Sequence, residues 1–227
     1  MVIVSFRRQK VPFGAIVLTR ANPYRYNTTY ITGDTIMYRQ IKDSTRFHMA
    51  GRNIHIPRKV AEGNRALVYA DLRNAASIGA EAFAGCENLQ QVELPVRLEQ
   101  INRRTFYKCK KLSAVKMPVG LKAIGEQGFY FCGIEELVLP EGLDRIGEGA
   151  FLNCKKLKEV RIPESVRRID SRAFSGCNQL ERLVFSGDPE IIGDKIVNKG
   201  CLICCRAGGR AEAYAQTNEL TVVHTEI

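Results

Sequence analysis

Between residues 78 and 191 the apolar positions recur in one order five times, in units that begin at Ile78, Ile101, Ile124, Ile146 and Ile169. The units are 23, 23, 22, 23 and 23 residues long. Ile opens each one. Ala-Phe or a similar pair stands at the fifth and sixth places, and Cys at the ninth. Leu stands at the twelfth in every unit but the third, two further apolar residues follow, and a Leu or Val precedes the next Ile by three. Within a unit, the run Leu157-Lys158-Glu159-Val160-Arg161-Ile162-Pro163 alternates as a short strand with its apolar members turned inward. The segment "IGEGAF" suits a turn on the other side of the unit.

One such unit carries too few apolar residues to bury a core alone, but stacked units share one. The strands then lie parallel, about 4.8 Å apart. Pro95, Pro118, Pro140 and Pro163 end them where no backbone donor is needed. Phe83, Phe106, Phe129, Phe151 and Phe174 fall at one repeat position, which predicts a buried aromatic column.

The string I-G-x-x-A-F-x-x-C-x-x-L-x-x-V-x-[ILM]-P resembles the BspA-type leucine-rich repeat. The resemblance implies a repeat solenoid, a leucine-rich-repeat right-handed β/α superhelix with short parallel strands, few helices and terminal caps. It also implies kinship with bacterial surface or secreted proteins concerned with adhesion. The stretch "LICCRAGGRAEAYAQTNELTVV" at 202–223 resembles the closing cap of such proteins: a last strand, a Gly turn, a short helix and a final strand. A cap is physically required, because the last coil would otherwise expose strand edges and apolar flank.

The front of the chain fits less well. "LVYADLRNAASIG" at 67–79 reads as a degenerate repeat, "NIHIPRKV" at 53–60 as a strand ended by Pro57, and residues 29–41 as a hairpin around Gly33-Asp34. The expected layout is an N-terminal β-rich cap or small module over 1–65, a solenoid over 66–191 with one degenerate and five regular coils, and a C-terminal cap over 192–227.

Composition is that of an ordinary globular chain, 45% apolar and 26% charged. No apolar run approaches the ~20 residues that cross a bilayer. The N-terminal patches are split by Arg7, Arg8 and Lys10, which is not the order of a secretory leader. The net charge of +10 is unevenly placed: residues 1–77 hold 13 Lys/Arg against 4 Asp/Glu, and residues 78–191 hold 17 against 16. A basic front region attracts an acidic partner or nucleic acid.

The residues point to no catalytic, cofactor or metal site. Cys86, Cys109, Cys132, Cys154 and Cys177 recur once per coil, as core positions do, rather than as convergent ligands. Five unpaired thiols suit a reducing or anaerobic setting. "CLICC" at 201–205 has a C-x2-C spacing with no second pair to complete it. Lys108, Lys110, Lys111, Lys155, Lys156 and Lys158 cluster on two coils, but Gly133, Glu135 and Glu136 interrupt them, which disfavours a nucleic-acid track.

The expected partner is therefore a protein or extended ligand bound by the outward residues of the strands, with no enzymatic activity. One column of that face is Gln91, Ala114, Glu136, Glu159 and Arg182; the other is Glu93, Lys116, Val138, Arg161 and Val184, with Tyr69 and Asp71 extending them from the degenerate coil. Attractive pairs are expected at Glu93–Lys116 and Glu159–Arg182. The alternative is an intracellular binding module whose basic N-terminal region contacts acidic protein or nucleic acid.

Overall fold

A computed structural model describes residues 16–19, 45–49 and 53–225. The hairpin expected over 29–41 lies outside them. In chain order the elements begin with β1 (Ile16–Thr19), β2 (Arg46–Met49), β3 (Ile54–Ile56), β4 (Tyr69–Asp71), β5 (Ala75–Ile78) and β6 (Gln91–Glu93). They continue with β7 (Gln100–Ile101), β8 (Ala123–Ile124), β9 (Arg145–Ile146), β10 (Glu159–Ile162), β11 (Arg168–Ile169) and β12 (Arg182–Phe185). The chain then closes with β13 (Ile191–Ile192), β14 (Leu202–Cys205), helix α1 (Arg210–Thr217) and β15 (Val222–His224).

These elements form a parallel solenoid with little helix, as the repeat predicted. One row of strands runs β2-β4-β6, then β10-β12-β14-β15, all parallel. Between the two groups the coils at 101 and 124 contribute a single bridge, Ala114 to Glu136. At the front, β1 joins this row antiparallel to β2. A second row was not anticipated. The residue before each opening Ile pairs with that Ile into a ladder of two-residue strands, β7-β8-β9-β11-β13, and β3 pairs β5 beside it. The strand before Pro57 belongs to this second row: Ile56 pairs with Ile78, so Ile56 opens a coil of its own.

The turn after each Ile is the same in every coil. Two residues per turn have positive φ: Lys59 (59°), Glu81 (61°), Arg104 (53°), Gln127 (54°), Gly149 (56°), Arg172 (59°) and Lys195 (50°) at the fourth place, and a second four residues later, or five in the last coil, where it is Gly200. Glycine at the second place lets successive turns approach: a Cβ on Gly193 would lie 2.4 Å from the Ser171 nitrogen, and one on Gly79 would lie 2.5 Å from the Arg58 nitrogen. The turns are joined by backbone bonds in which the residue at the Phe position donates to the next coil, as Phe106 does to Gly128 at 2.8 Å and Phe151 to Ala173 at 2.8 Å.

Inside, the phenylalanine column is complete. Phe83, Phe106, Phe129, Phe151 and Phe174 are fully buried and stack with centroids 5.7, 5.3, 5.4 and 5.3 Å apart. Stacked aromatic pairs add about 0.5–1.5 kcal/mol each beyond their burial. The cysteines form a parallel ladder. Each thiol donates to the carbonyl at the Phe position of the preceding coil, from Cys86 to Ala61 at 3.1 Å through Cys177 to Phe151 at 3.2 Å. Both ladders recur at one position per coil because identical side chains in a parallel stack meet their own kind one rung along.

The C-terminal elements follow the expected order of strand, Gly turn, helix and strand. The helix is capped from outside: Asp188, in the loop after β12, accepts from the Arg210 nitrogen at 2.7 Å and the Ala211 nitrogen at 3.3 Å. Ala211 and Ala215 enter the core, and the Tyr214 hydroxyl accepts from the Ile196 nitrogen at 2.9 Å. Together they cover the open flank of the last coil. No helix among the described residues is long and apolar enough to cross a membrane.

Candidate functional site

The parallel register turns alternate residues of the first strand row to opposite sides. Ala70, Val92, Val115, Leu137, Val160, Leu183 and Ile203 point into the core and are buried. Their neighbours point out and align in two columns. Tyr69 pairs with Gln91, and Glu159 with Arg182; Asp71 pairs with Glu93, and Arg161 with Val184. Glu136, through its bridge to Ala114, continues the first column. Lys116 and Val138 hold the corresponding places of the second.

Eleven of the twelve residues expected on this face are exposed or half-buried. Val184 is the exception, at 8% exposure. It stands between Arg161 and Cys204 in its column, and Cys204 is itself only 6% exposed. Side chains one rung apart touch, so apolar neighbours cover one another there. The accessible face therefore ends at Arg161 and Arg182.

Its charges are unevenly satisfied. Near the front, Arg73 grips Asp71 through two bonds, Nε to Oδ1 at 2.9 Å and Nη2 to Oδ2 at 2.7 Å. Arg46 lies over the Tyr69 ring at 5.1 Å. Burial, and then the Asp71 carboxylate, push the Tyr69 hydroxyl above its usual pKa. Glu93 accepts from Gln91 Nε2 at 2.8 Å, rather than pairing with Lys116. At the far end Glu159 and Arg182 form the expected ion pair. The centre differs: among the described residues Lys116, Glu136 and Arg161 have no ion pair, and Val138 between the two cations is 81% exposed. Arg46 and Arg73 were missed in the sequence. The alternation of "RFHM" was a usable signal for Arg46; Arg73 reaches the face only by bending back two residues.

Desolvation pushes the thiols of Cys86, Cys177 and Cys201 up to about 12, and those of Cys109 and Cys154 well above their usual value. All eight cysteines are buried and free. No group of three or more His, Cys, Asp or Glu converges as a metal site among the described residues. In the lysine cluster, Lys110 pairs with Glu87 at 2.9 Å and Lys156 with Glu135 at 2.7 Å, which reduces the basic ridge. Two shallow grooves of about 570 and 700 Å³ follow the second strand row, lined by mixed charges such as Arg145, Arg168 and Asp170.

Comparison with known proteins agrees with this architecture. The model of the BspA type leucine rich repeat region matches six copies over residues 76–202. The chain is similar to the leucine-rich-repeat protein of T. pallidum, with 32% identity and a TM-score of 0.54, covering 66% of each chain. It also resembles a leucine-rich-repeat protein from Bacteroides ovatus, with 20% identity and a TM-score of 0.49, covering 78% of this chain and 56% of that one. The chain thus spans less than two thirds of the length of either protein. A search of curated proteins gives no match. Leucine-rich-repeat folds are generally non-enzymatic, and this repeat type points to protein binding. With its 22- and 23-residue coils, its Phe and Cys ladders and its two strand rows, the chain belongs to the BspA-type leucine-rich-repeat family.

Proposed function

We propose that the chain is a non-enzymatic recognition protein, with a role in adhesion, that holds an extended protein segment across the outward side of its strand row. One observation carries this reading. Lys116, Val138 and Arg161 occupy the same position of successive coils and are exposed, and both cations are unpaired among the described residues while Asp71 and Glu159 towards the ends of the face are paired with Arg73 and Arg182. Two rungs separate the cations, roughly 10 Å. A segment with two acidic groups at that separation and an apolar side chain between them matches the arrangement. Rim pairs such as Glu159–Arg182 add little, about 0.2–1 kcal/mol.

The test is capture from host and self lysates with the wild type and with a Lys116→Ser, Val138→Ser, Arg161→Ser variant of unchanged melting temperature. Proteins retained by the wild type and lost by the variant support the strand face; identical capture removes it. A second reading rests on the basic excess of residues 1–77, which would attract an acidic protein or nucleic acid. A steep fall of nucleic-acid affinity with salt supports that reading.

A further inference from the structure

The turn face carries a feature that neither the repeat nor the strand face requires. At the seventh and eighth places of the turn most coils hold small or polar residues, among them Gly63, Ala84-Gly85 and Ser175-Gly176. Two adjacent coils instead hold Tyr107-Lys108 and Tyr130-Phe131. Tyr107 and Tyr130 stack at 4.6 Å with planes 11° apart, and Phe131 tilts against Tyr130 at 6.1 Å. Three cations gather on these rings. Arg104 and Lys108 lie over Tyr107 at 5.3 and 5.1 Å, and Lys155 of the next coil lies over Phe131 at 5.4 Å. Among the described residues none of the three has an ion pair; Arg104 donates to the neutral Gln127 Oε1 at 2.6 Å. Like charges are thus brought to one place; Glu87 feels the charge of Lys108 but is ion-paired with Lys110.

Phe131 is also held at φ +54°, in the position where Gly63, Gly85 and Gly176 stand in other coils. A bulky side chain in that region is strained, and glycine is not. The ring is only half-buried, so little packing offsets the strain. Retained strain of this kind marks side chains kept for use rather than for stability.

We infer that the Tyr107–Tyr130–Phe131 cluster with Arg104, Lys108 and Lys155 is a second binding surface, on the turn face, for an acidic polypeptide segment. Charge complementarity selects an anionic partner. The ring faces select its class. Tyr107 is covered by Tyr130 and two cations, and one face of Phe131 by Lys155, so cationic heads dominate what the surface offers. Carboxylates beside apolar side chains use those; a nucleobase needs an open ring face on which to stack. Aromatic rings that hold cations in place lower the ordering cost of binding.

The test uses a fluorescein-labelled Glu-Tyr copolymer, read by anisotropy at fixed salt against the whole chain. Binding is expected, with a loss of about tenfold or more in Phe131→Gly and in the pair Lys108→Gln, Lys155→Gln. Phe131→Gly should melt at the same temperature as the wild type or higher, a result that a packing role would reverse. Should Phe131→Gly fail to fold, Phe131 is a packing residue and the inference falls. It falls equally if the wild type does not bind the copolymer, or if the lysine pair binds it unchanged. Loss confined to a Lys116→Gln, Arg161→Gln variant, with both turn-face variants binding as the wild type does, would transfer the site to the strand face. Tighter binding of oligo-dT than of the copolymer would overturn the peptide assignment.

Discussion

The coils at 56–77 and 146–168 share one backbone but differ at their largest core positions. Both open on a buried Ile, both place a left-handed residue at the fourth position, and both donate from the sixth residue to the coil above: Ala61 to Ala82 and Phe151 to Ala173, each at 2.8 Å. Yet Ala61 stands where Phe151 stacks, and Asn64 where Cys154 donates its thiol. The early coil compensates from elsewhere. Phe47, from β2, enters edge-on against Phe83 at 5.3 Å with planes 85° apart, so the column ends in a crossed ring. Asn64 Oδ1 accepts from the Ala66 and Leu67 nitrogens at 2.9 and 3.1 Å, holding the turn by local bonds. Glu81, nearly buried, ties the early turn to its neighbours through Arg58 and Lys59, both at 3.0 Å. The coil geometry is thus a backbone property, and its filling can change hands.

This contrast can be tested by undoing each half of it. The largest effect is expected from Phe129→Ala, which empties the middle of the column between two stacked neighbours: about 3–5 kcal/mol in urea unfolding. Phe47→Ala should cost less globally and show itself as faster hydrogen exchange confined to the coils near 56–93, because repeat stability is a nearest-neighbour sum. Ala61→Phe restores the repeat residue yet should destabilise by about 1–3 kcal/mol, since Phe47 fills the space. Combined with Phe47→Ala it should recover part of that loss, and a double-mutant cycle with no coupling would show that the two rings do not compete.

Asn64→Cys should cost roughly 1–3 kcal/mol by orphaning two backbone donors, although it makes the coil read like its neighbours. The smallest effect is a pH dependence. The hydrogen bond from Lys59 holds the Glu81 carboxyl below its usual range, against the opposing effect of burial. A depressed native pKa stabilises fully above the unfolded value and ceases to do so as pH falls through the native one. Wild type and Glu81→Gln should therefore differ in melting temperature near neutral pH and converge as pH falls below the ordinary carboxylate range. A gap that persists there would assign the Glu81 effect to shape.

The Phe and Cys ladders, the buried Ile and Leu positions, the inward alternation of β10 and the order of elements in the cap were all legible in the residues. Each repeats at one spacing, and a parallel stack converts equal sequence positions into direct contacts. Of the candidate face, the alignment of its two columns and the pair Glu159–Arg182 were legible for the same reason, while the burial of Val184 and the lack of a Glu93–Lys116 pair were not. What failed to show were features outside that rule. A two-residue strand is too short to alternate, so the second row exists only through bonds between coils. The coil opened by Ile56 was hidden because Ala61 and Asn64 replace its two marker residues. Arg73 and Gln91 drew Asp71 and Glu93 into local bonds that compete with partners one rung away.

Periodicity alone was enough to specify the path of the chain, since every coil must bury its flank against a copy of itself. Packing in three dimensions settled the rest. It turned Phe47 over the end of the column, closed Val184 and Cys204 off from solvent, and brought Tyr107, Phe131 and Lys155 together from three coils. Such contacts depend on which residue happens to lie above or beside another, and a repeat that specifies its own core leaves those outer positions free to vary.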